Sequence, residues 1–295
     1  MSSVAVVAHS GKTLGGGLDE LRSVLAHAGV DTPLWYEVPK SKKAPARVRK
    51  AIDKGADLVF VWGGDGMVQR CIDTLAGTGV TLAILPAGTA NLLATELAIP
   101  TDIEAAVEVG LHGRRRPLDV GTVNGEHFAV MAGTGFDARM IGDTSKSFKR
   151  KAGKAAYLWT GAKHLRAAAT PMRIKVDGVD WFEGDASCVI AANVGTILGG
   201  VTAFPDAEPD DGVLEVGVVT AEGALAWSRV LARMAIGKPE GSPLARTTSG
   251  RKIDVRLDRE QPYELDGGDR SKAKKLKIRV EHHAIEVCVP EEARR

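Results

Sequence analysis

The fold of this chain is decided by residues 57–70, which read DLVFVWGGDGMVQR. The apolar run at 58–62 is typical of a strand that is buried on both faces of a parallel sheet. Three glycines in the next four positions permit positive φ angles and let backbone N–H groups approach a ligand closely. A helix directly behind them adds its positive dipole end, which favours phosphate groups. The stretch predicts a strand, a phosphate-binding turn and a helix; a tight turn without a ligand is the alternative.

Asp65 is the unexpected residue in this turn. A carboxylate held ~4 Å from a phosphate costs about 4 kcal/mol at an intermediate dielectric constant. The side chain therefore lies away from the phosphate, meets it through a bridging metal ion, or is placed to accept a proton from a nucleophile. All three placements stay open at the level of sequence.

Strands and helices alternate on both sides of this stretch. Apolar runs predict strands at 4–8, 33–38 and 81–85, with helical patterns between them. This alternation indicates a doubly wound α/β domain with a mostly parallel sheet. Ligands bind at the carboxyl ends of such strands. We therefore expect the turns at 63–66 and 86–91 to face one ligand from adjacent loops.

A polar turn, Ser10-Gly11-Lys12, follows the first predicted strand. The sequence Gly-Lys-Thr suggests a P-loop, but that motif needs a glycine five positions before the lysine, where this chain has Val7. The P-loop interpretation is therefore excluded. Either the turn amides and Lys12 contact a nucleotide, or the segment is an ordinary turn.

The sequence pattern changes near Pro117. Short strands separated by turns dominate the remainder, and helical patterns occur only at about 151–169 and 221–236. This predicts a β-rich, antiparallel, sandwich-like second domain. We place the two domains at 1–117 and 118–295, with the option that the last strand returns to the first domain. The predicted strands include 126–133, 172–176, 185–194, 213–219, 252–257, 276–280 and 284–289.

The composition is ordinary for a soluble globular protein. The chain has 295 residues, 44% of them hydrophobic and 26% charged. A net charge of +2 gives no reason to expect a nucleic-acid partner. No apolar run reaches the ~20 residues of a transmembrane segment, and the first strand follows the N-terminus too closely for a signal peptide. Three scattered cysteines predict reduced thiols in the cytoplasm.

Six short motifs follow one another along the chain, and their order is more specific than any one of them. Together they resemble the diacylglycerol kinase catalytic superfamily, in particular the bacterial soluble lipid kinases related to sphingosine and ceramide kinases. The first motif alone would be weak, because NAD kinases and phosphofructokinases carry similar turns. The motifs are Gly63-Gly64-Asp65-Gly66, Pro86-Ala87-Gly88-Thr89-Ala90-Asn91, Leu118-Asp119-Val120-Gly121, Gly133-Thr134-Gly135-Phe136-Asp137-Ala138, Asp210-Asp211-Gly212-Val213-Leu214 and Leu265-Asp266-Gly267-Gly268.

The resemblance implies ATP-dependent phosphorylation of a lipid hydroxyl, with Mg²⁺ as cofactor. It also implies an NAD kinase-like α/β domain, a β-rich domain and a nucleotide cleft between them. Such phosphoryl transfer depends on positioning and charge neutralisation more than on covalent chemistry. The residues expected to bind the nucleotide are those of the first turn together with those of the motifs: Ser10, Gly11, Lys12, Gly63, Gly64, Asp65, Gly66, Met67, Thr89, Asn91 and Lys154.

The resemblance further implies metal ligands. Asp119 would hold Mg²⁺ together with Asp65, although Asp119 also suits an ordinary strand end. A second, structural Mg²⁺ loop would use Asp211 and oxygens, expected from the main chain, at Glu208 and Val213. Adjacent carboxylates in a glycine turn suit a hard cation, and they equally suit a solvated turn without an ion.

Two further features have implied roles. Asp137 resembles a position that contacts the substrate hydroxyl or polar head. Lys154 resembles a lysine proposed to steer nucleotide phosphates or substrate, and it belongs to a basic cluster at 146–154. That cluster also suits anionic lipid headgroups or a solvated surface.

The chain departs from the family pattern at three positions. Met67 replaces a threonine, Leu92 replaces a frequent aspartate, and Gly268 replaces the glutamate that is the proposed base for the lipid hydroxyl. Gly268 cannot accept a proton. Asp269, one residue later, is the first candidate for that role, and Asp65 is the second.

The predicted function is therefore an ATP- and Mg²⁺-dependent kinase of diacylglycerol or a similar lipid. It would be cytoplasmic and peripheral to the inner membrane face, without a transmembrane segment, and a homodimer is compatible with this interpretation. A catalytically silent nucleotide- or lipid-binding regulatory protein is the first alternative, because of the three departures. A kinase of NAD or another soluble alcohol is the second.

Overall fold

The computed structural model describes residues 3–135, 169–197, 201–235 and 242–291. The chain divides into two compact units. The first comprises Met1–Val120, His127–Ala129 and Glu281–Arg295, and the second comprises Gly121–Glu126 and Val130–Val280. The mostly parallel N-terminal sheet and the antiparallel second half that the sequence predicts are both confirmed.

The first unit is built on a parallel sheet. Its strands are β1 (Val4–His9), β2 (Leu34–Val38), β3 (Leu58–Gly63) and β4 (Thr81–Pro86), in the order β2-β1-β3-β4 with every pair parallel. The C-terminal part of the last strand, β18 (Ala273–Val289), pairs in parallel with β4. The helices are α1 (Gly17–His27), α2 (Ala44–Asp53, after a 3₁₀ turn at Ser41–Lys43), α3 (Asp65–Leu75), α4 (Leu92–Glu96) and α5 (Ile103–His112).

The sheet core explains why the stretch at 57–70 is decisive. Every residue of β3 is buried, and Phe60 and Trp62 are fully inaccessible. Helix α5 begins with Asp102, whose carboxylate accepts the N–H of Ala105 (2.9 Å). Gly110 of α5 packs on Phe60 so closely that a Cβ there would overlap the phenyl ring. A glycine is therefore needed for this helix to lie against the central strand.

The described part of the second unit is built from antiparallel strands in two larger sheets and one small one. The first of these has the strand order β14-β13-β10-β7-β16-β17, and the second joins β9, β8, β15 and the N-terminal part of β18, with the end of β5; a third, two-stranded sheet pairs β11 with β12. The bounds are β5 (Arg114–Val123), β6 (Glu126–Phe128), β7 (Met131–Thr134), β8 (Thr170–Val176), β9 (Val179–Ala186), β10 (Cys188–Ala192), β11 (Thr196–Ile197), β12 (Val201–Thr202), β13 (Leu214–Val219), α6 (Gly223–Ala235), β14 (Ala245–Gly250), β15 (Lys252–Gln261), β16 (Tyr263–Leu265) and β17 (Gly268–Asp269).

Several strands differ from the sequence pattern. β18 is one long strand, whereas the pattern predicts separate strands at 276–280 and 284–289. The polar break between them contains His283, which has a left-handed backbone (φ 51°), and the strand continues through it. β9 and β14 are not predicted either, because most of their residues are exposed and lack a hydrophobic alternation.

His127 joins three elements of the first unit. Its Nδ1 lies 2.8 Å from the carboxylate of Asp73 on α3, and its Nε2 lies 3.2 Å from that of Glu281 on β18. The hydrogen bond to Asp73 raises the pKa of His127; burial opposes the rise, and Glu281 adds to it. The carbonyl of His127 also accepts the side-chain amide of Gln69 (2.6 Å). The imidazole therefore links α3 to the last strand, and its protonation strengthens the link.

Replacing His127 with glutamine should cost stability only where the imidazole is charged. A pKa that is raised in the folded state stabilises the fold fully below the unfolded value of 6.5, and the gain is lost as pH rises through the folded value. We expect His127→Gln to lower the free energy of unfolding by about 1 kcal/mol near pH 6 and by much less near pH 9. Urea denaturation at both pH values measures this difference.

His112→Gln is the matched control, because His112 is exposed at the end of α5 and lies 4.0 Å from Glu108. Its effect should be small at both pH values. An equal loss for His127→Gln at pH 6 and pH 9 would contradict the assignment.

Candidate active site

Three turns meet at the carboxyl-end edge of the parallel sheet. They follow β1, β3 and β4, which are neighbours through Ala8 opposite Trp62 and Gly63 opposite Pro86. The indole N–H of Trp62 donates to the carbonyl of Lys12 (3.2 Å), which fixes the first turn against β3. The structure thus brings together the predicted segments at 10–12, 63–66 and 88–91.

The second and third turns approach each other as closely as backbones allow. A Cβ on Gly64 would lie 2.9 Å from the Cα of Gly88. A Cβ on Gly88 would in turn overlap Gly64 and the side-chain oxygen of Asn91. These two glycines are needed for turn-to-turn packing, which is a different reason from the positive φ angle proposed from the sequence.

Asp65 holds the two turns together. One carboxylate oxygen accepts the N–H of Asn91 (2.9 Å) and the other accepts the N–H of Leu92 (2.6 Å). Burial raises the pKa of Asp65, and the backbone N–H groups of Leu92, Asp65 and Asn91 oppose the rise. The carboxylate that begins α3 therefore also satisfies the backbone at the start of α4.

Asn91 shapes the third turn from within. Its backbone is left-handed (φ 48°, ψ 52°), a conformation that asparagine tolerates better than most residues. Its side-chain oxygen accepts the N–H of Gly88 (2.8 Å), and its amide donates to the carbonyls of Pro86 and Gly88. Thr89 is exposed at the tip of this turn. Contact of Asn91 and Thr89 with a nucleotide stays a prediction.

In the first turn of α3, Gly66 faces open space and Met67 is buried. A Cβ on Gly66 would meet nothing within 4 Å, so this part of the turn faces open space. Met67 is only 2% exposed, and its N–H donates to the carbonyl of Gly64 (2.8 Å). Methionine at this position therefore packs into the core, and its predicted part in nucleotide binding stays a prediction.

Asp119 belongs to a separate cluster. Its fully buried carboxylate accepts the N–H of His283 (2.7 Å) and lies 2.7 Å from Nδ1 of His282. The two imidazole rings stack at 3.6 Å, because the left-handed backbone of His283 turns adjacent side chains to one side. Ligand atoms of all three residues lie within 4.8 Å of one another, so the group could hold a metal ion.

This cluster suits a metal other than Mg²⁺. Mg²⁺ takes oxygen ligands, whereas two imidazoles and a carboxylate suit Zn²⁺ or a similar transition metal. Ala284, the next residue on β18, accepts the N–H of Gly77 in the loop that leads into β4 (2.8 Å). That loop marks the amino-end edge of the sheet, away from the three turns. The structure does not bring Asp119 to Asp65, and metal binding by Asp119 stays a prediction.

The predicted second metal loop is rich in carboxylates. Asp211 accepts the N–H of Val213 (3.0 Å), which closes a tight turn, and Glu208 is exposed. Burial and the negative charges of Asp211 and Asp206 raise the pKa of Glu215 on β13. Asp206 and Glu215 were not among the predicted ligands, because neither lies in the motif. An oxygen-rich site of this kind fits a hard cation.

The hairpin of β16 and β17, where the sequence predicts the catalytic base, carries three acidic residues. Asp266 is buried, and its carboxylate accepts the N–H groups of Val130 and Met131 (both 2.9 Å), so it is structural. Asp269 is exposed on β17 and stands opposite the buried Glu264 of β16.

An ion pair fills the space beside Gly268. Arg270 donates to both carboxylate oxygens of Glu126 (2.9 and 2.8 Å from Nε) and to the carbonyl of Gly268 (2.9 Å). A Cβ on Gly268 would lie 2.8 Å from the Arg270 guanidinium. Arg270 therefore occupies the space where the family's glutamate side chain would begin. Glu126 carries no motif signal and was not predicted.

Two predicted residues, Asp137 and Lys154, lie outside the described residues, as does most of the predicted helix at 151–169.

Known proteins match both halves of the chain. The sequence profile of the diacylglycerol kinase catalytic domain matches residues 4–123, and that of the YegS C-terminal NAD kinase beta sandwich-like domain matches residues 130–289. A probable lipid kinase YegS-like protein from Cronobacter sakazakii is 31% identical over 88% of this chain and 87% of its own length. The chain belongs to the diacylglycerol kinase catalytic superfamily. Membership makes it a lipid-kinase-like phosphotransferase.

One further relative matches by sequence, and two solved structures share the fold. A diacylglycerol kinase from Mycobacterium tuberculosis is 31% identical over 65% of this chain and 64% of its own length. A crystal structure of a diacylglycerol kinase from Bacillus anthracis shares the fold, with a TM-score of 0.76 at 21% identity over 99% of this chain and 98% of that one. An NAD kinase from Archaeoglobus fulgidus in complex with ATP shares it more distantly, with a TM-score of 0.56 at 12% identity over 98% and 95%. Among the described residues, no helix is long and apolar enough to cross a membrane.

The close approach of the two turns makes a stability prediction. Gly88→Ala should lower the free energy of unfolding by about 2 kcal/mol, because overpacking against backbone atoms is relieved only by separating the turns. The melting temperature should fall by roughly 5 °C. Gly66→Ala is the matched control, since its Cβ has open space and alanine favours the helix. Equal melting temperatures for the two variants in differential scanning calorimetry would refute the packing argument.

Proposed function

We propose that this protein is an ATP- and Mg²⁺-dependent lipid kinase that transfers the γ-phosphoryl group to a hydroxyl of diacylglycerol or a similar lipid. The observation that supports this most directly is the pair of turns tied by Asp65 at the carboxyl-end edge of the sheet. In open α/β sheets, ligands bind at that edge. A superfamily whose members are lipid kinases supplies the reaction class.

The three turns offer what a triphosphate needs. Gly66 leaves open space at the N-terminus of an eleven-residue helix, where backbone N–H groups and the helix dipole favour anions. Lys12 and Thr89 are exposed on the flanking turns and supply a charge and a hydroxyl. These groups position the phosphates, which is the main requirement of phosphoryl transfer.

The hydrogen bonds that Asp65 accepts explain how a carboxylate can lie beside bound phosphates. Two backbone N–H groups already neutralise part of its charge, so the carboxylate does not face the phosphates uncompensated. A carboxylate retains further lone pairs, so Asp65 suits Mg²⁺ through water, and the carboxylates near Asp211 suit a second ion. Bound Mg²⁺ would neutralise charge on the transferred phosphoryl group.

Asp269 is the residue that we assign to accept the proton of the lipid hydroxyl. It is an exposed carboxylate on a short hairpin, one position after the site of the family's glutamate. Asp65 is less suited to this step, because both of its oxygens hold backbone N–H groups. The attacking oxygen would bond to the γ-phosphorus as ADP leaves, and Asp269 would take the hydroxyl proton.

A lipid is favoured over NAD as the substrate. The relatives that match by sequence are a probable lipid kinase and a diacylglycerol kinase, whereas the NAD kinase shares only the fold. We accordingly propose that the protein works in the cytoplasm at the inner membrane surface.

A catalytically silent regulatory protein is the second candidate. It is favoured by Gly268 and by the Arg270 guanidinium beside it, because no glutamate is available at the family's position for the base.

One assay separates these candidates. The purified protein is incubated with Mg²⁺ and γ-labelled ATP together with diacylglycerol, monoacylglycerol, sphingosine, ceramide, phosphatidylglycerol or NAD, and products are identified by mass. We expect label in a phosphorylated lipid. Label in NADP would identify the soluble-alcohol kinase, and saturable ATP binding without any product would identify the silent protein.

Asp269→Asn should lower kcat by roughly 100-fold or more with little effect on the KM for ATP, because it removes only the proton acceptor. The melting temperature should stay unchanged, since Asp269 is exposed. Asp258→Asn is the matched control, an exposed aspartate on β15 of the same unit. Steady-state kinetics with the lipid found above measures both variants.

A second substitution sharpens this test. Gly268→Glu in the Asp269→Asn background restores the family's glutamate; it requires the Arg270 side chain to move and the Leu265 carbonyl to shift slightly. Recovered turnover would show that a carboxylate on this hairpin is needed. Full activity in Asp269→Asn alone would remove Asp269 from the mechanism.

A further inference from the structure

One face of a sheet in the second unit is covered by basic side chains. Along β8, β15 and the N-terminal part of β18, alternate residues point inward and are buried, such as Ile174, Val255 and Leu276. The residues between them point outward. Six of these outward residues, here called the basic face, are Arg173, Lys175, Arg256, Lys275, Lys277 and Arg279.

The strand register places like charges side by side. Arg256 on the middle strand is directly opposite Arg173 on one side and Lys275 on the other. Side chains at such positions lie about 5 Å apart at Cβ, and like charges directly opposite each other destabilise a sheet. In the next row, Asp254 separates Lys175 from Lys277.

The carboxylates within reach balance only part of this charge. Arg173 pairs with Glu183, Lys175 with Asp180 (3.3 Å) and Arg279 with Asp254 (2.8 Å). Among the residues that the structure describes, Arg256, Lys275 and Lys277 have no carboxylate within ion-pair distance. The basic face therefore keeps a net positive charge.

Two acidic residues farther along β15 lie outside the basic face. Asp258 and Glu260 lie beyond Arg256, where the register of β15 against β18 shifts, and neither lines the depression formed by the basic face.

The shape of the basic face suits contact with an extended anionic surface better than binding of a small ligand. The six side chains and Asp254 line an open depression of about 390 Å³ that spans three strands, roughly 10 Å across. The outward residues of these strand segments include no aromatic side chain that would stack on a nucleic-acid base. Their charge complements a plane of anionic headgroups.

We infer that the basic face docks the protein onto an acidic lipid bilayer. This inference rests on the proposed function, because a lipid kinase must reach a substrate that stays in the membrane. The anionic headgroups would relieve the repulsion among Arg173, Arg256 and Lys275.

The test compares vesicle binding by the full chain and a triple variant. Arg256→Gln, Lys275→Gln and Lys277→Gln remove the three exposed charges of the basic face that have no ion-pair partner among the described residues. Each basic residue near an acidic surface contributes about a fivefold gain in binding, so the triple variant should bind on the order of 100-fold more weakly. Co-sedimentation with phosphatidylcholine vesicles, with and without phosphatidylglycerol, measures the affinity. Wild-type binding should require phosphatidylglycerol and weaken with added salt.

The matched control removes the same charge elsewhere. Lys42→Gln, Arg47→Gln and Arg49→Gln lie at exposed positions around α2 in the first unit. This variant should bind acidic vesicles like the wild type. An equal loss in both triple variants would mean that net charge alone matters, and it would overturn the inference.

Two further outcomes also overturn it. One is binding of the basic-face variant to acidic vesicles with wild-type affinity. The other is a wild-type protein that ignores vesicles while a mixed-sequence oligonucleotide or inorganic polyphosphate binds it and not the triple variant, which would assign the face to a soluble polyanion.

Failure of the docking inference can be told apart from failure of the proposed function. Phosphotransfer is also measured in neutral detergent micelles, where no acidic surface is present. We expect the basic-face variant to match the wild type there and to lose activity only on acidic vesicles. A wild type without lipid phosphorylation in micelles would refute the proposed function, whatever the vesicle binding shows.

Discussion

The two hydrogen bonds that Asp65 accepts from Asn91 and Leu92 are the constraint on which the candidate site depends. They join the turn after β3 to the turn after β4, and the turns lie so close at Gly64 and Gly88 that neither position has room for a side chain. The start of α3, where we propose that phosphates bind, is therefore fixed against the turn after β4. Preorganised donors of this kind are what phosphoryl transfer demands of a protein.

The same bonds remove an apparent conflict between a carboxylate and the proposed phosphate site. A negative side chain beside phosphates is costly unless its charge is balanced. Here backbone N–H groups supply part of that balance, and the main role of Asp65 is to connect the two turns. We therefore propose that another carboxylate, Asp269 on the hairpin of the second unit, accepts the proton. Membrane attachment is proposed for the charges that the register of three strands brings together.

Local sequence patterns were sufficient to predict the elements whose structure depends on neighbouring residues. The apolar run of β3 and the glycines behind it predict the strand, turn and helix that are observed. Long-range pairing was not predictable in the same way. Nothing near Asp119 in sequence points to His282 and His283, and nothing near Gly268 points to Glu126. Such contacts depend on strand register, which a single sequence does not reveal.

The most direct test is amide hydrogen exchange at Asn91 and Leu92, measured by NMR in the wild type and in Asp65→Ala. If the Asp65 carboxylate ties the turns, these two amides should exchange at least tenfold faster in the variant, while the amides of β10 keep their wild-type rates. Unchanged protection at Asn91 and Leu92 would contradict the account, because the two turns would then be held together by something other than Asp65.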